Sequence, residues 1–259
     1  MRIVGPGIWG DPADPAQAIA VLRGAAELGV NLIDTADSYG PFISEDLIKQ
    51  ALHPYDGILV ATKGGLTRQG PDAWDAVGRA PYLRQCVQMS LRRLGVDRID
   101  LWQLHRIDPR TPVEEQFGEI AAMQAEGLIR HVGLSEVSVA DVEIARTYFD
   151  VVSVQNMYNV AVRSSEALVD YCHDNAMGFI PWFPLGNRQL LQADGPVART
   201  AARLSVSPSQ VALAWLLHRS PVMLPIPGTG SLEHLRDNCG AADVQLDDQA
   251  LADLSGIGA

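Results

Sequence analysis

The chain has 259 residues and a formal net charge of −11. That balance argues against a nucleic-acid partner, because phosphate backbones are gripped through Lys and Arg patches. Hydrophobic residues make up 47% and charged residues 20%, the proportions of a folded globular protein and not of a disordered one. Cys86, Cys172 and Cys239 are odd in number and form no C-x-x-C pair, so each reads as a small buried hydrophobe and not as part of a disulfide framework or zinc knuckle.

Met1 is followed by neither a basic segment with a long apolar run nor an Arg/Ser-rich amphipathic stretch. The apolar "VALAWLL" at 211–217 falls far short of the roughly 20 residues that span a bilayer. A cytoplasmic protein with no membrane partner and no required protein partner is expected.

In chain order, strand and helix signals alternate. "MRIVGPGIWG" has only Met1 to Val4 as strand material, and Ala16 to Leu28 follows with an apolar stripe of Ile19, Leu22 and Ala26. "NLIDTAD" at 31 predicts a strand, Ser44 to Leu52 a helix, "ILVATK" at 58 a strand and Pro81 to Leu94 a helix. "RIDLWQLH" at 98, Val113 to Ala125, "IRHVGLS" at 129 and Val139 to Tyr148 continue the pattern. "VVSVQ" at 151, Ser165 to Asn175, "GFIPWF" at 178, Pro208 to Arg219, "VMLPIP" at 222 and Leu232 to Ala241 complete it. Ser44, Ser138 and Ser207 precede their helices as cap candidates.

Near-continuous apolar strands alternating with helices indicate a parallel sheet covered on both faces. The number of repeats favours an α/β fold of the closed (β/α)8 TIM-barrel type, with no Gly-x-Gly-x-x-Gly to suggest a dinucleotide-binding open sheet. No composition break divides the sequence, so residues 1–259 are expected to form a single domain. The first barrel strand is expected to be very short or missing.

In such barrels the reacting groups come from C-terminal strand ends and the loops after them. Asp34 and Asp37 lie at the end of the first predicted strand, Lys63 ends the next and His105 the one after, with Tyr39 on the first of these loops. Together they suggest a proton donor with a tuned acidity. A phenol titrates near 10, and an ammonium about 4 Å away at an effective dielectric near 20 favours the phenolate by roughly 4 kcal/mol before the cost of burial. Lys63 is therefore expected to bring Tyr39 toward the working range, Asp34 to keep Lys63 charged, and His105 to orient a carbonyl or share the proton transfer.

Asp34, Tyr39, Lys63 and His105, in "DTADSYG", "VATKGG" and "DLWQLHR", resemble the catalytic tetrad of the aldo-keto reductase superfamily. The resemblance continues through "GLIRHVGLSEVS", "VVSVQNMYN", "FIPWFPLG" and "LPIPGTGSLEHLRDN" and so covers nearly the entire chain. It implies an NADPH-dependent reductase of aldehydes and ketones in which Tyr39 is the general acid. Within the superfamily, "GPGIWG", "ALHPY" and "FIPWFPLG" are most similar to a bacterial branch that includes pyridoxal reductases.

By position, the resemblance implies that Ser135 and Gln155, with Glu136 beside the serine, contact the nicotinamide carboxamide and that Trp182 stacks on the ring. Pro184, Leu185 and Gly186, with Asn187 and Arg188, would line the pyrophosphate. Gly228, Thr229, Gly230, Ser231, His234, Asp237 and Asn238 would hold the adenosine end. Trp9 and Trp74 are candidates to wall a substrate pocket; Trp102 is at least as well explained by the core.

Glu136 stands where many members have Asn, His234 where many have a phosphate-clamping Arg, and Gly228 where some have Lys. Because a phosphate dianion is best matched by a permanent cation, NADH remains an alternative to NADPH, and Arg236 would have to substitute. Two rival readings are a non-catalytic NADP(H)-binding sensor barrel, which would show no turnover, and a metal-dependent hydrolase built on Asp34, Asp37 and His105, which a chelator would inactivate. No H-x-H or H-E-x-x-H spacing supports the latter.

Overall fold

The structure is a computed structural model that describes residues 3–186 and 195–257. The chain divides into two compact units, Met1–Ser153 with Gly228–Leu232, and Val154–Pro227 with Glu233–Ala259.

The first unit opens with a 3-10 turn, Pro6–Ile8, and α1 (Pro15–Glu27), followed by β1 (Leu32–Asp34), α2 (Ile43–Leu52) and β2 (Leu59–Gly64). A two-stranded antiparallel hairpin of β3 (Leu66–Gly70) and β4 (Ala73–Ala76) follows directly. Then come α3 (Ala80–Leu94), β5 (Ile99–Leu104), α4 (Val113–Ala125), β6 (Ile129–Ser135), α5 (Val139–Ala145) and β7 (Val151–Gln155), which runs on into the second unit. The second unit holds α6 (Glu166–Asp174), β8 (Gly178–Phe179), α7 (Pro196–Leu204), α8 (Pro208–Arg219), most of α9 (Leu232–Cys239) and α10 (Asp248–Ser255).

The main sheet has the order β1-β2-β5-β6-β7-β8, and the pairs β1/β2, β2/β5 and β5/β6 are parallel. Their near-continuous apolar sequences are buried on both faces, as Val60, Ala61, Leu101, Trp102, Val132 and Leu134 illustrate. Helices between the strands carry local start or stop signals. Asp14 accepts from Gln17 N at 2.9 Å to begin α1, Gly95 at φ 71° ends α3, and Ser138 and Ser207 form capping boxes with Asp141 and Gln210.

Several expectations are corrected. Ser44 is not a cap: Phe42, at φ 73°, occupies that position, and Ser44 lies inside α2 with its hydroxyl 2.7 Å from Thr35 Oγ1. The strand predicted at 222–227 is reduced to a single bridge between Phe179 and Met223, and the one at 178–183 to two residues. Pro181, Pro221, Pro225 and Pro227 explain both, since proline gives a ladder no N–H. The β3–β4 hairpin, α7 and α10 have no counterpart among the predicted elements. Among the described residues no strand precedes β1.

Candidate active site

Register brings the polar strand ends together in the first unit. Asp34 pairs with Ala61 across β1/β2, and Lys63 pairs with Gln103 across β2/β5. Ala61 and Lys63 lie two apart on one strand face, so Asp34, Lys63 and Gln103 converge. The β1 to α2 loop stays on the ladder, with Thr35 N to Ala61 O at 2.8 Å and Asp37 N to Lys63 O at 3.0 Å. It then turns at Gly40, whose φ of 107° and a would-be Cβ 2.6 Å from Ile43 Cβ admit only glycine.

The ammonium of Lys63, fully buried, donates to Asp34 Oδ2 at 2.6 Å and to Thr35 O at 2.8 Å, and it lies 5.2 Å from the centroid of the Tyr39 ring. Two of its three N–H groups are thus committed to these acceptors. Gln103 Nε2 donates to the other Asp34 oxygen at 3.1 Å. His105 is buried against Ser38, with Nδ1 3.3 Å from Ser38 Oγ. Its ring stands edge-on to that of Tyr39, with centroids 5.8 Å apart. The tetrad expected from the sequence is therefore one cluster.

Burial works against the Lys63 ammonium, yet Asp34 and Tyr39 beside it more than offset this, so its pKa is raised and the side chain stays charged. Burial also raises the Tyr39 phenol above its ordinary value; Lys63 opposes this and Asp34 adds to it. The net direction is opposite to the lowering expected from the Lys63 charge alone, because the same enclosure that strengthens the ion pair penalises a phenolate. His105 is pushed well below the usual imidazole range by burial first, then by Lys63, Arg106 and Arg68. Its imidazole is neutral at physiological pH.

Asp37 is not part of this group. Buried at 3% exposure, it lies beside Glu45, Cys86 and Arg93. Of the predicted wall residues, Trp74 stands edge-on to both Tyr39 (6.3 Å between centroids) and His105 (6.2 Å). Trp9 bridges to Gly40 and lies 5.6 Å from the Arg68 guanidinium. Trp102 is fully buried in the core.

The residues expected at a cofactor are distributed along both units. In the first, Ser135 ends β6 and its hydroxyl accepts from Arg106 at 3.0 Å; Glu136 follows, exposed, at φ 55°. Gly228, Thr229, Gly230 and Ser231 form a turn in which Ser231 N donates to Thr229 Oγ1 at 3.1 Å, and Gln17 Nε2 reaches Gly230 O at 3.3 Å. In the second, Gln155 ends β7 buried and Trp182 bridges to Met157. Pro184, Leu185 and Gly186 form the turn beyond it, with Gly186 at φ 60°. His234 and Arg236 are exposed on α9; Asn238 is buried, and Asp237 accepts from Ser207 Oγ at 2.7 Å, which ties it to the start of α8. Asn187 and Arg188 lie outside the described residues.

A profile described as the Aldo/keto reductase family matches residues 3–259. The chain belongs to the aldo/keto reductase family. It is an oxidoreductase, and its α/β fold matches the (β/α)8 barrel structures of that family. Pyridoxine 4-dehydrogenase of Escherichia coli is 42% identical over 265 residues, covering 99% of this chain and 92% of that protein. An uncharacterized oxidoreductase of Schizosaccharomyces pombe is 53% identical over 254 residues, covering 98% and 83%. Among solved structures, the glycerol dehydrogenase of Gluconobacter oxydans superposes with a TM-score of 0.86 at 25% identity, covering 96% of this chain and 87% of that one. An aldo/keto reductase of Klebsiella pneumoniae in complex with NADP and acetate gives 0.81 at 25% identity, covering 97% and 89%.

For this aldo/keto reductase, sequence reasoning passed over Gln103, Ser38, Arg68 and Arg106. Gln103 carried a readable signal. It is the one strongly polar side chain between Leu101 and His105 on the same strand face, and such a residue in a buried strand needs a partner.

Proposed function

We propose that this chain reduces aldehydes or ketones to alcohols with NADPH as reductant and Tyr39 as the general acid. The observation that carries the reading is the placement of Lys63: its ammonium is held by Asp34 and Thr35 and lies beside Tyr39, 5.2 Å from the ring centroid. The Tyr39 phenol beside that ammonium has a proton to give. With its pKa raised, Tyr39 carries that proton throughout the neutral range. As negative charge develops on the Tyr39 oxygen during transfer, the adjacent ammonium stabilises it without reorganising. Asp34, itself held by Gln103, keeps the ammonium in place. The neutral imidazole of His105 supports a role in orienting the carbonyl oxygen toward Tyr39.

NADPH supplies the hydride to the carbonyl carbon when bound. The donor set suits it, since the Ser135 hydroxyl accepts from Arg106 and so has its proton free for a carboxamide oxygen. Gln155, Glu136, Trp182 and the turn Pro184 to Gly186 would hold the nicotinamide side. Gly228 to Ser231, His234, Asp237 and Asn238 would hold the adenosine side, as their positions in the family pattern imply. The 42% identity to pyridoxine 4-dehydrogenase makes pyridoxal and pyridoxine the first substrates to try. A single domain of residues 1–259 located in the cytoplasm remains part of this reading; no helix among the described residues is long and apolar enough to cross a membrane.

The test is a panel of aldehydes and ketones, pyridoxal included, followed at 340 nm with NADPH and NADH side by side. Turnover with NADPH that is lost in Tyr39→Phe is expected. NADPH binding without turnover on any carbonyl compound would instead favour a nucleotide sensor.

A further inference from the structure

Arg68, on the β3–β4 hairpin, has an unusual distribution of partners. A guanidinium has five N–H donors, and here each meets a main-chain carbonyl. Nε reaches Ala73 O at 3.1 Å, one terminal nitrogen reaches Ile8 O and Ser38 O at 2.8 and 2.9 Å, and the other reaches Gly7 O and Gly70 O at 2.8 and 3.2 Å. These carbonyls come from three segments: the N-terminal turn, the loop that carries Tyr39, and the hairpin itself. The flat face of the same guanidinium lies 3.5 Å from the centroid of the Trp74 ring.

With no donor left over, Arg68 is not equipped to bind an anionic substrate, although it is a cation beside the site. It is equipped to hold geometry. Ser38 is the neighbour of Tyr39 and the hydrogen-bond partner of His105, and Trp74 stands edge-on to both of those rings. Gly7 shows how closely the segments meet: at φ 65°, a Cβ there would lie 2.8 Å from Pro71 Cβ at the hairpin tip.

We infer that Arg68 is a positioning residue that presets the Trp74 wall over Tyr39 and His105 and thereby sets the affinity for the carbonyl substrate. It acts through Trp74 and the Ser38 carbonyl without touching substrate. This rests on the reading of the site as a carbonyl reductase.

Two measurements test it. In kinetics, Arg68→Lys keeps a cation but supplies only three donors and no plane to lie on the indole. KM for an aromatic aldehyde is expected to rise roughly tenfold, the scale of losing a desolvated cation–π contact, with the NADPH dissociation constant unchanged. In a Trp74→Leu background the same substitution should change KM by less than about threefold. A wild-type KM in Arg68→Lys, or an undiminished effect in the Trp74→Leu background, overturns the inference. The second measurement uses the wild-type protein and does not depend on a variant that folds. Nitrogen-edited NMR should show separate, slowly exchanging terminal N–H signals for Arg68, and a single averaged signal overturns the proposed lock. If wild-type protein turns over no carbonyl compound, the proposed function fails by itself while the NMR result still decides whether the hairpin is locked.

Discussion

Lys63 and Asp34 form an ion pair of 2.6 Å in which the side chains are 0% and 3% exposed. A pair so enclosed is weak proof of added stability, but removing one partner strands the other as a buried charge, typically at a cost of about 3–5 kcal/mol. The pair is therefore a device for keeping an ammonium beside Tyr39, and its members should fail in different ways.

Tyr39→Phe removes the proposed proton donor and should lower kcat by about 100-fold or more, with NADPH affinity nearly unchanged. Lys63→Met leaves the phenol but takes away the charge that stabilises its anion, so kcat should fall comparably and the melting temperature should drop as well. Asp34→Asn should be milder in kcat, because it weakens the hold on Lys63 without removing the ammonium. Steady-state kinetics and thermal melts on the three variants check the order. Wild-type kcat in Tyr39→Phe on every carbonyl substrate would remove Tyr39 from the role of acid.

Asp37 predicts a pH dependence of stability. Burial, then the neighbouring Glu45 carboxylate, raises its carboxyl from 3.8 to about 7, against opposing contributions from Cys86, Arg93 and the Ser38 backbone. A carboxyl with a raised folded-state pKa binds its proton more tightly in the folded chain. Its contribution is fully present below about pH 4 and is lost as pH climbs to about 7, at up to about 1.4 kcal/mol per pH unit. One Asp37 oxygen has no hydrogen-bond partner among the described residues, consistent with a site that favours the neutral acid. Asp37→Asn mimics that acid, so its denaturation midpoint should fall less than that of the wild type between pH 5 and pH 8. Parallel curves would show that Asp37 ionises equally in both states.

Gly40 fixes the turn that presents Tyr39. At φ 107°, and with a new Cβ set to stand 2.6 Å from that of Ile43, Gly40→Ala combines backbone strain with overpacking. A loss of about 2–4 kcal/mol is expected, together with a fall in kcat as Tyr39 shifts. Chemical denaturation and kinetics on one preparation check both.

His234, exposed in the first turn of α9, bears on cofactor choice. If that turn meets the 2′-phosphate, His234→Arg should tighten NADPH binding roughly tenfold through a charge-assisted pair and leave NADH binding unchanged. Titration of both nucleotides by fluorescence quenching measures it. Unchanged NADPH affinity would move the phosphate contact elsewhere, Arg236 being the next candidate.

Local chemistry was legible from the sequence. Ser138 and Ser207 announce their helices because a cap closes within three residues, and the apolar repeats in β2, β5 and β6 report burial directly. The polar residues at the strand ends, Asp34, Lys63 and His105, were equally readable, since each interrupts an apolar run where such a strand should stop. What the sequence left open depends on partners distant along the chain. Gln103 meets Asp34 across 69 positions and Arg68 meets Gly7 across 61, and no local pattern encodes a pairing that register and loop closure create. The direction of the Tyr39 pKa was likewise undetermined, because the Lys63 charge can be read from the sequence while the competing burial is a property of the packed chain. The strand expected at 222–227 fails for a related reason: its apolar run is genuine, but whether a proline-flanked segment joins a ladder depends on the donors its neighbour requires.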